Sequence, residues 1–105
     1  MRYLLIIGLI CLWSVNVGAE LHTETVEYRH GDTMLEGYLA YDNAIKGKRP
    51  GVLVVHEWWG NNAYSKKRAE QLAKLGYVAF ALDMYGKGII AKDSKEAGAL
   101  AETYR

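Results

Sequence analysis

The chain is poor in cysteine and proline, and it has no excess of charge of either sign. Its 105 residues include one cysteine, one proline, 13 basic residues and 12 acidic residues. Cys11 lies in the apolar N-terminal run, so the rest of the chain can hold no disulfide bond and no cysteine-ligated metal. The balanced charge gives no reason to expect nucleic acid or an anionic membrane as a partner. Half of the residues are apolar, which predicts a folded chain, and the length allows one domain.

Residues 1–19 have the three-part pattern of a secretory signal peptide. A short positive start containing Arg2 precedes an apolar run to Trp13, and small residues end the segment at Ala19. An uncleaved N-terminal anchor is the alternative, but the run is short for a membrane span, which needs about 20 apolar residues. We therefore expect a periplasmic or secreted protein that begins at Glu20 and has no stable membrane association after signal cleavage.

The pattern of residues 20–105 predicts an α/β fold. Residues 23–29 alternate with a period of two, and residues 33–41 follow a His-Gly-Asp turn, which together predict a β-hairpin. Residues 51–55 are continuously apolar, as in a strand of a parallel sheet that is covered on both faces. Residues 63–75 have a helical pattern that ends at Gly76.

A second continuous apolar strand, residues 77–82, follows this helix. Strand, helix and strand form a βαβ unit, whose crossover we expect to be right-handed. Asp93, with Glu96 three residues later, predicts the start of a last helix. The predicted architecture is a hairpin followed by a βαβ unit of a mostly parallel sheet.

The sequence His56-Glu57-Trp58-Trp59-Gly60 comes directly after the first buried strand. In open α/β sheets, ligands bind beyond the carboxyl ends of the strands, so this segment is in the position of a site. We expect the two tryptophans to remove the Glu57 carboxylate partly from water. In the alternative interpretation both tryptophans cover the end of the sheet, and Glu57 caps the following helix.

Two segments of the sequence resemble the N-terminal part of the dienelactone hydrolase family, which has the α/β-hydrolase fold. They are residues 53–62, Leu-Val-Val-His-Glu-Trp-Trp-Gly-Asn-Asn, and residues 76–86, Gly-Tyr-Val-Ala-Phe-Ala-Leu-Asp-Met-Tyr-Gly. The resemblance extends over essentially all of residues 20–105. It implies an enzyme that cleaves small esters or lactones by nucleophilic acyl transfer, without a metal or a cofactor.

The resemblance also implies roles for individual residues. Glu57 matches the active-site glutamate that interacts with the resting nucleophile, and Trp58 matches the residue whose backbone N–H forms half of the oxyanion hole. Lys87 is the nearest match to an arginine of the family, although lysine lacks the planar fork of arginine and could equally be a solvated loop residue. His56 is interpreted as a hydrogen-bonded strand-end residue, because the family's general base comes later in the chain. Asp83 is expected to cap loop amides.

The sequence contains no nucleophile motif. Neither Gly-x-Ser-x-Gly nor Gly-x-Cys-x-Gly occurs, and in this fold the nucleophile, acid and histidine follow the oxyanion loop. The pattern of the last helix is also interrupted at Arg105. We therefore expect an N-terminal portion of a hydrolase that is inactive as the 105-residue chain.

The alternative is an exported, non-catalytic binding or interaction protein on a degenerate α/β-hydrolase scaffold. In that protein Trp58 and Trp59 would form an aromatic platform for a ligand. The sequence leaves open the identity of the substrate, the choice between cysteine and serine as the nucleophile, and the oligomeric state.

The signal-peptide prediction has a direct test. If residues 1–19 are removed on export, the mass of the intact secreted or periplasmic protein should correspond to a chain that begins at Glu20. A soluble mature protein that retains Met1 would contradict this prediction.

Overall fold

Within residues 20–105, the part of the chain that the computed structural model describes, four strands form one sheet and two helices accompany it. The signal-peptide prediction and Cys11 lie outside the described residues. Neither described helix is long and apolar enough to cross a membrane. In chain order the elements are β1 (Leu21–His30), β2 (Thr33–Asp42), β3 (Gly51–Val55), α1 (Ala63–Lys74), β4 (Val78–Leu82) and α2 (Ser94–Thr103).

The predicted hairpin is confirmed. Strands β1 and β2 pair antiparallel over their whole length, from Leu21 opposite Asp42 to His30 opposite Thr33. Each strand is slightly longer than the alternation predicted. The extension of β2 places the carboxylate of Asp42 where its Oδ1 accepts hydrogen bonds from the backbone N–H groups of Glu20 (3.0 Å) and Ala44 (2.9 Å).

The predicted βαβ unit is also confirmed, as the parallel part of a mixed sheet. The strand order is β1-β2-β4-β3, with β3 and β4 parallel and β4 antiparallel to β2. Helix α1 begins after its N-cap, Asn62. It ends one residue earlier than predicted, and Gly76 follows with φ +105°, a conformation that glycine adopts without steric cost.

The core between α1 and the sheet consists of small side chains. Five alanines are fully buried there, and larger apolar side chains such as Val54 and Leu72 pack around them. Alanine allows the helix to approach the sheet closely, but each alanine removes little apolar area from water. The five residues are Ala40, Ala69, Ala73, Ala79 and Ala81.

The prediction that the first apolar strand is covered on both faces is wrong for the described residues. Val54 pairs with Ala81 and faces α1, whereas Leu53 and Val55 alternate to the opposite face and are 69% and 64% exposed. Helix α1 covers one face only, and α2 lies beside Trp58 in the loop after β3 rather than against the sheet. Because β3 is also the last strand in the order, its outer edge has no partner among residues 20–105.

An exposed apolar edge strand is a template for association. We expect residues 20–105, expressed alone, to self-associate through β3. Leu53→Lys should reduce association, because it places a charge on the open face without disturbing the core. The measurement is sedimentation velocity of both proteins over a range of concentrations.

The matched control is Val54→Lys, one residue away on the face that packs against α1. It should unfold the chain rather than make it more soluble, because it places a charge among the buried alanines. A wild-type chain that is monomeric at every concentration, with a sharp thermal transition, would contradict the prediction.

Candidate active site

The candidate site is formed by two loops at the carboxyl ends of β3 and β4, residues 56–62 and 83–91. The two strands are adjacent and parallel, so their carboxyl ends lie at the same edge of the sheet. The loops are connected by backbone and side-chain hydrogen bonds, including one from the N–H of Ala91 to the carbonyl oxygen of Trp59 at 2.8 Å. They therefore form one structural unit.

His56 is buried and has hydrogen-bond partners at both ring nitrogens. Its Nδ1 is 2.6 Å from the carbonyl oxygen of Glu57, and its Nε2 accepts a hydrogen bond from the N–H of Met84 at 2.9 Å. The ring also contacts Tyr85 edge-on, with centroids 4.8 Å apart. These contacts agree with the interpretation of His56 as a hydrogen-bonded strand-end residue, and they leave neither nitrogen free to act as a base.

The Glu57 side chain is exposed and accepts no hydrogen bond from the rest of residues 20–105. The expectation that the tryptophans partly remove its carboxylate from water is therefore wrong for the described residues. The alternative, that Glu57 caps the following helix, is also wrong. Asn62 is the N-cap of α1, and its side chain accepts a hydrogen bond from the N–H of Ser65 at 3.3 Å. The carboxylate lines an open cleft beside Trp59 and Tyr64.

The backbone of Trp58 is fixed, but its N–H group has no acceptor among the described residues. Its carbonyl oxygen accepts a hydrogen bond from the Tyr85 hydroxyl at 2.9 Å. The indole is 44% exposed and meets Trp59 edge-on at 5.4 Å between centroids. The tryptophans therefore do not simply cover the end of the sheet, and the free N–H group has the chemical character of an oxyanion donor.

Asp83 organises the second loop, as expected of a residue that caps loop amides. Its Oδ1 accepts hydrogen bonds from the N–H groups of Tyr85 and Gly86, both at 3.0 Å. Its Oδ2 accepts a third from the N–H of Glu36 on β2, at 2.9 Å. One buried carboxylate thus connects the loop that carries Tyr85 to the neighbouring strand.

Lys87 is not paired with Glu57. Its ammonium group forms a salt bridge with Glu27 on β1, and its backbone N–H donates to the carbonyl oxygen of Met34 at 2.8 Å. The hydrogen bond and the charge of Glu27 raise the pKa of the Lys87 ammonium group above its ordinary value. The pair is exposed, so it contributes little to stability, and Glu57 has no cationic partner among residues 20–105.

The sequence analysis missed the role of Asn61. Its buried side-chain amide donates to the carbonyl oxygens of Glu36 (3.2 Å) and Ala81 (3.0 Å), and its Oδ1 accepts from the Ser65 hydroxyl at 2.7 Å. Asn61 thus attaches the first loop to β2 and β4 where their pairing ends. Two consecutive asparagines before a helix were the available signal, since only one can be the N-cap.

Gly60 allows the two loops to approach each other closely. It has φ +109°, and a Cβ atom there would lie 2.7 Å from the carbonyl oxygen of Ile89. A side chain is therefore excluded both by the backbone conformation and by the second loop. Residues 20–105 contain no group of three or more histidine, cysteine, aspartate or glutamate side chains that could hold a metal ion.

Comparison with known proteins identifies this arrangement. Residues 35–104 match the family model described as the dienelactone hydrolase family. A protein of Aquifex aeolicus (strain VF5) named "Putative carboxymethylenebutenolidase" is 39% identical over 80 residues, which cover 73% of this chain and 33% of that protein.

Two solved structures resemble this chain over most of its length. The structure named m3DLH superposes with a TM-score of 0.75 at 35% identity, covering 79% of this chain and 35% of its own. A dienelactone hydrolase-like promiscuous phosphotriesterase from metagenomic libraries superposes with a TM-score of 0.74 at 34% identity, covering 83% of this chain and 36% of its own. The chain spans about a third of the length of the relatives that it matches.

The close approach at Gly60 leads to a stability prediction. In residues 20–105 carrying Leu53→Lys for solubility, Gly60→Ala should lower the free energy of unfolding in urea. The left-handed backbone should cost an alanine about 1–2 kcal/mol, and overlap with Ile89 should add roughly 1–3 kcal/mol.

Gly88→Ala is the matched control, because Gly88 also has a positive φ (+77°) but has nothing within 4 Å of the added Cβ. It should show the cost of the backbone conformation alone. Equal losses for the two variants would mean that the loops are not packed against each other as described.

Proposed function

Because this chain belongs to the dienelactone hydrolase family, we propose that it supplies the oxyanion loop and a site carboxylate to an exported enzyme that cleaves small esters or lactones. The relatives are about three times as long as the matched segment. The proposal therefore concerns a hydrolase of which residues 20–105 form the N-terminal third. The 105-residue chain alone is proposed to be inactive, because it has no nucleophile motif.

The observation that supports this proposal is the N–H of Trp58 just after β3, which has no acceptor within residues 20–105. It lies in a loop whose position is fixed by hydrogen bonds, so it requires little reorganisation to accept a developing negative charge. The general rule for this fold supports the same assignment, since one oxyanion donor comes from the loop after the third strand. Removal of one such donor typically lowers kcat by a factor of about 10²–10³.

In the proposed reaction this chain supplies the oxyanion donor and the site carboxylate, and the rest of the enzyme supplies the nucleophile. A serine or cysteine outside this chain attacks the carbonyl carbon, and the π electrons move to the carbonyl oxygen, which the Trp58 N–H stabilises. Collapse of this intermediate breaks the bond to the leaving alkoxide, which takes up the proton that the nucleophile has lost, and water then hydrolyses the acyl-enzyme to the acid and the free nucleophile. Glu57 lies beside this N–H in the chain, where its charge can hold or activate the nucleophile.

Two parts of the proposal rest on the sequence alone. Export is proposed from the signal-peptide pattern of residues 1–19, with a periplasmic or secreted location. The need for further polypeptide is proposed from the missing nucleophile motif. Reading the encoding DNA beyond the codon for Arg105 should reveal a Gly-x-Ser-x-Gly or Gly-x-Cys-x-Gly elbow. An immediate stop codon would instead favour the non-catalytic binding protein, for which the exposed ring of Trp58 is the supporting observation.

Glu57→Gln tests the role of the carboxylate. The experiment uses a chimeric hydrolase in which residues 20–105 replace the matching segment of the phosphotriesterase relative, which supplies the nucleophile. If the charge of Glu57 helps to activate that nucleophile, hydrolysis of p-nitrophenyl acetate should fall by about 10²–10⁴ in kcat/KM. The melting temperature should not change, because the Glu57 side chain forms no hydrogen bond with the described residues.

Glu24→Gln is the control, because Glu24 is an exposed carboxylate on β1. It should leave kcat/KM unchanged. Equal activity of the Glu57→Gln chimera and its parent would contradict the proposed role. A folded chimera without any esterase activity would contradict the proposed function itself.

A further inference from the structure

The protonation of His56 follows from its two hydrogen bonds. The backbone N–H of Met84 can only donate, so the Nε2 atom 2.9 Å away must be an unprotonated acceptor. The remaining proton of the neutral ring is then on Nδ1, which donates to the carbonyl oxygen of Glu57 at 2.6 Å. The surroundings therefore select the neutral Nδ1–H tautomer.

This tautomer determines the orientation of one peptide group. The carbonyl oxygen of Glu57 accepts hydrogen bonds from His56 Nδ1–H and from the N–H of Gly60, at 3.2 Å. The described chain contains no cis peptide bond, and in a trans peptide the C=O and N–H bonds point in opposite directions. With the carbonyl of the Glu57–Trp58 peptide held by His56, its N–H is directed to the opposite side, where the described part of the chain offers it no acceptor.

The second loop holds the next peptide group, Trp58–Trp59. The Tyr85 hydroxyl donates to the carbonyl oxygen of Trp58 at 2.9 Å, and its ring contacts the ring of His56. Asp83 holds the N–H of Tyr85 at 3.0 Å. The histidine is thus confined between the peptide that it orients and a loop with its own internal hydrogen bonds.

We propose that His56 is a positioning residue that, as the Nδ1–H tautomer, directs the Trp58 N–H toward the oxyanion. The inference rests on the proposed function, because it concerns the donor assigned there. His56 neither touches the substrate nor transfers a proton. Its effect should therefore appear in kcat rather than in KM, since an oxyanion donor acts mainly on the transition state.

Two amide substitutions separate the two hydrogen bonds of His56. In His56→Asn the side-chain N–H₂ group is close to the position of Nδ1, so it can still donate to the Glu57 carbonyl. In His56→Gln the longer side chain reaches the position of Nε2, where its amide oxygen can accept a hydrogen bond from the N–H of Met84. This variant has no donor at the position of Nδ1, so the Glu57 carbonyl loses that hydrogen bond. Both variants lose one hydrogen bond and the same aromatic contact.

In the chimeric hydrolase, His56→Gln should lower kcat by roughly 10- to 100-fold with KM nearly unchanged, which is less than removal of the donor itself. His56→Asn should retain most of the activity. His30→Gln, at an exposed histidine in the hairpin, should have the activity of the parent chimera. Equal kcat values for the Asn and Gln variants would overturn the inference, because a purely structural role does not distinguish the two hydrogen bonds.

A spectroscopic measurement tests the tautomer without any activity. In the chimera labelled with [¹⁵N]histidine, the imidazole nitrogen shifts of His56 should show a protonated Nδ1 and an unprotonated Nε2. A protonated Nε2 would overturn the inference even if the enzyme were active. A parent chimera that shows the expected tautomer but lacks esterase activity would contradict the proposed function, whereas the assigned hydrogen-bonding roles of the two His56 ring nitrogens would stand.

Discussion

The hydrogen bonds between the loops that follow β3 and β4 determine where the residues of the candidate site lie. Met84 N–H binds the ring of His56, and the Tyr85 hydroxyl binds the carbonyl of Trp58. These donors are in place because the Asp83 carboxylate holds the amides of its own loop and of β2. The Asp-Met-Tyr-Gly segment thus supports the loop that is proposed to bind the oxyanion, although none of the side chains of this segment is proposed to react.

The scaffold below these loops is much less complete. Its core under α1 consists of alanines, and the opposite face of the sheet exposes Leu53 and Val55. Apolar burial contributes about 25 cal/mol per Å², so a core of methyl groups provides little of the stability that a free-standing domain needs. The geometry of the site is therefore fixed by polar contacts between loops. The sheet below them is covered on only one face within residues 20–105. The chain matches about a third of the length of each relative, which agrees with a scaffold that is only partly covered within residues 20–105.

Periodicity and turn residues predicted the described strands and helices to within about two residues at their ends. Those signals are local, and so is the N-terminal cap at Asp93, which accepts from the N–H of Glu96 at 2.8 Å. The motifs also predict that the candidate site lies at the carboxyl end of β3, which stays a prediction. Pairing across the sheet was not predictable in the same way, because nothing local indicates which side chains the fold brings together.

Lys87 shows this limit most clearly. Its partner is Glu27, which is 60 residues earlier in the chain and is brought close only by the hairpin register and the position of the β4 loop. Asn61 was missed for a related reason, since its three hydrogen bonds reach β2, β4 and α1. The exposure of Glu57 depends on which other parts of the protein cover the site, and no local pattern in the sequence encodes that.

The central claim is that the backbone N–H of Trp58 stabilises the oxyanion, and it can be tested by changing that group alone. Incorporation of the α-hydroxy analogue of tryptophan at position 58 of the chimeric hydrolase replaces the N–H by an ester oxygen and keeps the indole. The account predicts that kcat/KM for p-nitrophenyl acetate falls by about 10²–10³, whereas the same replacement at Trp59 has a much smaller effect. Equal activities of the two esters would contradict the account.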